Sequence, residues 1–384
     1  MIRVGVVGVG KMGMSHLSMI RAHPGVEVAA VCDATGYVLD VLGKYTGLRT
    51  FTDYGRMLDS IELDAVVIST PTASHYALVN QALDRGLHVF CEKPLSLSAA
   101  QSEELAARAA DLGLVTQVGY HNRFVGAFQE VKRLLDSGVI GEVSHVLAES
   151  YGPVVLKPKG STWRSKRETG GGSLYDYAAH PLDLLSWFLG EPVAAGGTVL
   201  GRIFSAETDD EVYSTLFYEG GTSAQLSVNW SDESQRKMTT KITIWGSKGK
   251  IAADRQECQL YLRDTAEPPA GYEHGWNVRY TTELTQPVWF YLRGEEYSAQ
   301  LAYFVESIAA VEVAARPHRQ NSFGSASVTD RAIELLIADA DAGSSTPVGR
   351  AEPQLAAAGA AAVATAPVAQ RLGWLRRTAG KVAR

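Results

Sequence analysis

Arg3-Val4-Gly5-Val6-Val7-Gly8-Val9-Gly10-Lys11-Met12-Gly13 runs a short β-branched stretch straight into a G-x-G-x-x-G. Met14 to Ala22 follows and is compatible with a helix, so the glycines have the strand, turn, helix context of a dinucleotide-binding turn. On that reading Gly8 permits the tight turn, Gly10 lets backbone approach a pyrophosphate, and Gly13 lets helix pack on strand. Lys11 and Met12 complete the loop, and the phosphates lie at the helix N-terminus. The next apolar run, Val26 to Cys32, ends in Asp33, twenty residues beyond Gly13. A carboxylate there accepts from a ribose 2′-hydroxyl and repels a 2′-phosphate, and Ala34, Thr35 and Gly36 supply no arginine to rescue one. The expected cofactor is NAD, with NADP the lesser fit.

Strand and helix patterns alternate from this stretch to about residue 120. Ala65 to Ser69 reads as a buried strand ending in Thr70-Pro71-Thr72, Ser74 to Arg85 as a helix, and Leu87 to Cys91 as the next strand. Ser98 to Leu112 reads as an Ala-rich helix with Ser98 as N-cap and Gly113 as its stop, and Leu114 to Gly119 as one more strand. Such alternation predicts an α/β Rossmann domain, a doubly wound parallel sheet whose ligands lie beyond the carboxyl ends of its strands. Thr70, Pro71, Glu92, Lys93 and Tyr120 fall at those ends. The ammonium of Lys93 would sit near an alkoxide-like oxygen, where a fixed cation in a dry cleft is most useful. Glu92 can pair with it or with the ribose, and Pro94 rigidifies the turn. The plainer reading is an exposed loop lysine with an ion-pair partner.

After residue 120 the period changes. A helix, Phe124 to Leu135, precedes runs of period two: Val212, Leu216 and Tyr218, then Ala224, Leu226, Val228 and Trp230, then Ile242 and Ile244. Ser223, Gln225, Ser227 and Asn229 alternate with them, and Gly220-Gly221 marks a turn. These features predict an α+β domain with a large antiparallel sheet, apolar on one face. Tyr297 to Ala315 and Val328 to Ala340 read as closing helices. The expected domains are residues 1–120, 121–343 and a tail, 344–384, with the late helices returning to the first domain.

A second chemical cluster is Gly170-Gly171-Gly172-Ser173-Leu174-Tyr175-Asp176-Tyr177-Ala178-Ala179-His180. In a helix from Ser173, Asp176 and His180 share a face. The carboxylate would then hold one imidazole nitrogen and raise the basicity of the other, which suits proton abstraction from an alcohol. Alone, such a pair is more often a surface contact. The glycine run before it, which permits close approach of another backbone or a ligand, favours the site.

The formal net charge of −6 argues against a general nucleic-acid binder. Cys32, Cys91 and Cys258 show no metal-ligand spacing, so reduced thiols and no metal are expected. A core strand at the first residues leaves no room for a signal peptide, and no apolar run is long enough to span a bilayer, so a cytoplasmic location is expected.

Together Gly8-x-Gly10-x-x-Gly13, Thr70-Pro71, His75, Glu92-Lys93-Pro94 and Asp176-x-x-x-His180 after a triple glycine resemble the Gfo/Idh/MocA oxidoreductases, over roughly residues 1 to 343. The resemblance implies an open-faced sheet through which dimers or tetramers form, and oxidation or reduction of a hydroxyl on a sugar or cyclic polyol. It implies that His75 belongs to the cofactor site, that Lys93 contacts the reacting hydroxyl and nicotinamide ribose, that Asp176 positions substrate and base, and that His180 is the general acid/base. Some relatives carry tyrosine in place of the histidine or let the lysine take the proton.

Lys157-Pro158-Lys159-Gly160-Ser161-Thr162-Trp163-Arg164-Ser165-Lys166-Arg167 packs five cations and a tryptophan before the glycines. Cations suit phosphate and an indole suits a sugar face, so a phosphorylated or nucleotide-linked sugar leads, and a solvated basic loop reads equally well. Trp163, Arg164 and Tyr177, with His121, Asn122 and Arg123 past the last Rossmann strand, are the further substrate candidates. Asn229, Trp230, Tyr272, His274, Trp276, Asn277 and Arg279 form a polar-aromatic set without a fixed place. Gly343 to Gln370 reads as a linker. The basic segment from Arg371 reads as a frayed end or a contact for a membrane surface or acidic partner. Besides the NAD-dependent dehydrogenase, two readings stay open: a redox-neutral enzyme that keeps its NAD and oxidises transiently before elimination or glycosidic cleavage, and a non-catalytic dinucleotide sensor.

Overall fold

The computed structural model describes residues 1–155, 163–312 and 320–343. The basic residues at 157 and 159, the end of the helix expected to reach 315, and the tail at 344–384 lie outside the described residues.

Short apolar runs give six parallel strands, β1 (Ile2–Val7), β2 (Val26–Cys32), β3 (Arg49–Phe51), β4 (Ala65–Ile68), β5 (His88–Cys91) and β6 (Thr116–Val118). Five helices alternate with them: α1 (Lys11–Arg21), α2 (Gly36–Thr46), α3 (Tyr54–Ser60), α4 (His75–Leu83) and α5 (Ala99–Asp111). The order is β3-β2-β1-β4-β5-β6, so the strand order reverses between β1 and β4 and opens a crevice at their carboxyl ends. Both faces are covered, which is why β4 is buried along its whole length.

The second sheet follows α6 (Gly126–Asp136). Its strands are β7 (Val143–Tyr151), β8 (Ala194–Gly201), β9 (Glu211–Phe217), β10 (Ser223–Asn229), β11 (Lys241–Gly246), β12 (Gly249–Ala253), β13 (Glu257–Leu262) and β14 (Gly275–Tyr280), with α7 (Ala179–Leu189) between β7 and β8. The order is β14-β13-β12-β11-β7-β10-β9-β8. The sheet is antiparallel as expected except at one pair, β7 and β10, which run parallel. Period two reports a half-buried strand but not its direction, and α7, β8 and β9 intervene between this pair. Val146, Ala148, Leu226, Val228, Ile242 and Ile244 face the core, while Ser227 and Asn229 are half-buried and Gln225 is exposed on the other face.

Short α8 (Thr281–Leu284) leads to α9 (Glu295–Glu312) and α10 (Phe323–Gly343). Leu301, Phe304, Val305 and Ile308 of α9 share a core with Ile2, Val4, Val6 and Phe90 of the Rossmann sheet. α10 lies against α5, α7 and β8, and its Glu334 takes the Ala99 N–H at 2.7 Å. That contact explains why Ser98 caps α5 with its backbone position but without a side-chain bond. No described helix is long and apolar enough to cross a membrane.

Candidate active site

The glycine loop is shaped by close approach. Gly8 has φ +84°, and a Cβ there would sit 2.9 Å from the carbonyl of Ser69, while a Cβ on Gly13 would collide with the carbonyl oxygen of Gly8. Gly10 is different: it is exposed, with open space where its side chain would be, at the N-terminus of a helix that has no side-chain cap and no acid in its first turn. An anion has room and a favourable dipole there. Asp33 braces this loop by accepting from Val9 N at 2.6 Å and Thr35 N at 2.7 Å. The residues therefore fit a dinucleotide.

His75 does not face the crevice. It is fully buried, with its ring nitrogens 2.9 Å from the carbonyls of Thr70 and Pro94. Burial lowers its proton affinity, and its place ties the Thr70-Pro71 loop to the Lys93-Pro94 turn instead of touching a cofactor. Glu92 also departs from expectation, because its carboxylate meets His16 Nε2 of α1 at 2.6 Å and the Lys93 backbone N–H at 3.2 Å, not the Lys93 ammonium. Burial alone would push its carboxyl up, but the His16 bond and the charges of His16 and Lys93 hold it below its usual range.

Lys93 crosses to the second half of the site. Its Nζ donates to the Asp176 carbonyl at 2.7 Å and to Asp176 Oδ1 at 3.2 Å, while Asp176 Oδ2 accepts from Arg164 Nε at 2.8 Å. An ammonium has three donors, so one remains for a ligand. Burial works against the Asp176 charge, but the two cations outweigh it and keep the carboxyl below its ordinary range. The glycine run has a clear use here: a Cβ on Gly171 would strike the backbone carbonyl of Arg164, and one on Gly170 would lie 2.9 Å from Thr72. Asp209, which the sequence reading missed, accepts from Ser173 Oγ at 2.8 Å and Leu174 N at 2.6 Å and so caps the segment.

Leu174–Ala178 is a π-helical turn leading into α7. Asp176 and His180 both line the cleft, but the expected bond between them is absent because Lys93 and Arg164 take the carboxylate. His180 Nδ1 is buried without a partner, which leaves Nε2 as the nitrogen able to meet a ligand. The ring is 4.9 Å from that of His121, edge to face. Burial, then the nearby cations Lys93 and Arg255, lower the proton affinity of His180 well below the ordinary histidine value, so the imidazole is neutral. His121 is lowered in the same way, by burial first.

The cleft holds about 1300 Å³ and runs from Lys11 and Met12 past Glu92 and Lys93 to Asp176, Tyr177 and His180. Arg255, on the turn between β12 and β13, and Tyr297, in the first turn of α9, also line it and carry no motif that would have marked them. Arg123 is a correction. It is buried in a two-pronged pair with Asp183, at 2.9 and 2.6 Å, and bonds Ser325, so it joins the turn after β6 to α7 and α10 and does not reach substrate. Asn122 is also buried and off the cleft wall. Trp163 lies under the Arg164 guanidinium, at 4.8 Å, and is not on the wall either. Trp230 is core, while Trp276 is exposed on β14.

Residues 2–120 match a family model described as an oxidoreductase family with an NAD-binding Rossmann fold, and residues 128–252 match the GFO/IDH/MocA C-terminal domain. The chain is 27% identical to inositol 2-dehydrogenase of Rhizobium meliloti (strain 1021), over 78% of its own length and 91% of the relative's. It is 28% identical to dTDP-3,4-didehydro-2,6-dideoxy-alpha-D-glucose 3-reductase of Streptomyces violaceoruber, over 88% and 94%. Levoglucosan dehydrogenase, solved with NADH and levoglucosan, shares the fold with a TM-score of 0.76 at 20% identity, over 89% of this chain and 97% of that one.

Proposed function

Because the chain belongs to the GFO/IDH/MocA oxidoreductases, a family of NAD-binding enzymes acting on sugars and polyols, we propose that it oxidises a secondary hydroxyl of a sugar or cyclic polyol, with His180 as general base and Lys93 as electrostatic stabiliser. One observation carries this reading: Lys93, Asp176 and His180 line a single cleft that begins at the cofactor loop. NAD, when bound at the glycine loop, supplies the hydride acceptor. The remaining donor on Lys93 Nζ meets the substrate oxygen and favours its developing negative charge. Neutral His180 takes the hydroxyl proton at Nε2 and returns it in the reverse reaction. Asp176, held ionised between Lys93 and Arg164, keeps the ammonium pointed into the cleft.

A nucleotide-linked sugar is the finer proposal for substrate. It draws on the volume of the cleft, on Arg236 and Lys237 at its rim, and on the relative that acts on a dTDP-sugar. We also propose that copies pair through the open sheet face. The test is to measure the mass of the purified protein for retained cofactor, then screen polyols, free sugars and nucleotide sugars for NADH absorbance. Turnover without added NAD and without net NADH would favour the redox-neutral reading. Unchanged turnover in Lys93→Ala and His180→Ala would remove the assigned chemistry.

A further inference from the structure

A general base is ordinarily oriented by a hydrogen bond on its other nitrogen. His180 has none: Nδ1 is sealed and unpartnered, and the Asp176 carboxylate is engaged elsewhere. Aromatic rings hold it instead, His121 at 4.9 Å and Tyr120 at 6.4 Å, both edge to face. His121 is itself gripped. It stacks on Tyr297 with ring centroids 4.4 Å apart, and its Nε2 lies 3.4 Å from the Tyr297 hydroxyl and 3.5 Å from Arg255 Nη1. Arg255 is paired in turn with buried Glu296.

A guanidinium N–H can only donate, so His121 Nε2 is an acceptor and the proton of the neutral ring sits on Nδ1. Burial and the Arg255 cation beside that lone pair disfavour its protonation, which makes His121 the poorer base. We propose that Arg255, Tyr297 and His121 form a clamp that positions His180 for proton transfer. The inference rests on the reading of His180 as general base. It joins the β12–β13 turn, the start of α9 and the turn after β6, so three separate elements must be in place before the base is oriented.

The charged and titratable groups facing His180 are Asp176 from its own segment, Lys93 and Glu92 from the end of β5, and Arg164 beyond Asp176. Tyr120 and His121 face it from the turn after β6, Arg255 from the β12–β13 turn, Arg293 from the turn before α9, and Glu296 and Tyr297 from α9. Lys93 stays in any Arg255 variant, so removing Arg255 isolates one cation of the two that act on this ring. Loss of a nearby cation lets an imidazole protonate at higher pH.

The test uses the full chain as Arg255→Gln, Arg255→Lys, His121→Ala and His180→Asn. In Arg255→Gln the acid limb of kcat/KM is expected to move up by about half a pH unit or more. In the same variant kcat falls about tenfold, with little change in KM. Arg255→Lys should restore the limb, and His121→Ala should lower kcat while His180 remains present. Independently of turnover, 15N-histidine spectra of the unsubstituted protein should show His121 protonated at Nδ1 and not at Nε2. An Nε2–H tautomer, or an unmoved acid limb in Arg255→Gln, would overturn the clamp. If His180→Asn is fully active, the base assignment fails by itself, and the tautomer measurement still decides whether Arg255 orients His121.

Discussion

Lys93 and His180 enter the same cleft from two halves of the chain, and the two side chains have different expected losses. His180→Asn removes the proposed proton acceptor and should lower kcat/KM by about 10²–10⁴-fold, the range for general base loss. Lys93→Met should lower it by about 10²–10³-fold, as for one oriented donor to a developing oxyanion. Steady-state kinetics with a parallel NAD titration checks both, and wild-type kcat/KM in either variant contradicts the roles. Arg123 belongs to stability: Arg123→Ala leaves Asp183 buried without its cation and should reduce unfolding free energy by about 3–5 kcal/mol. Urea denaturation reads it, and weaker substrate binding at unchanged stability would return Arg123 to the cleft. The sequence placed Arg123 and Arg164 alike near substrate, yet a lone acid in Leu182-Asp183-Leu184-Leu185 signals a buried cation partner and would have separated them. Arg255 and Tyr297 had no such signal, because they reach His121 from distant turns without any spacing rule.

Elements were legible where period and punctuation agree, as in the glycine loop between β1 and α1. They were less so where a partner is remote. Glu334 on α10 caps α5, a contact 235 residues apart that no local pattern contains. Asp330, one turn earlier on α10, meets Ser102 of α5 at 2.6 Å, and burial pushes its carboxyl up to about 8. Its folded value lies above the ordinary aspartate value of about 3.9. The stability it contributes is therefore whole below the ordinary value and is lost as pH rises through the folded one. Asp330→Asn keeps an acceptor for Ser102 and carries no charge. Its stability relative to the native chain should rise from about pH 4 to about pH 8 and level off above, and a flat difference in thermal melts across that window would contradict the assignment.

At the scale of the whole molecule, the open sheet leaves Trp276 at 59%, Val278 at 41% and Tyr280 at 52% exposure along β14, with Tyr261 beside Trp276. An apolar stripe of this kind is where the proposed pairing of copies would occur. Light scattering should report a dimer or tetramer, and Val278→Arg should shift it toward monomer; a monomeric native chain would contradict pairing through this face. The alternating apolar positions announced the sheet, but not that β14 leaves this stripe exposed. For the cleft, the decisive measurement is a crystal structure with NAD and a sugar or polyol that the enzyme turns over. The expected result is one substrate hydroxyl within about 2.6–3.2 Å of both Lys93 Nζ and His180 Nε2. A hydroxyl held by only one of them, or a substrate seated away from both, would contradict it.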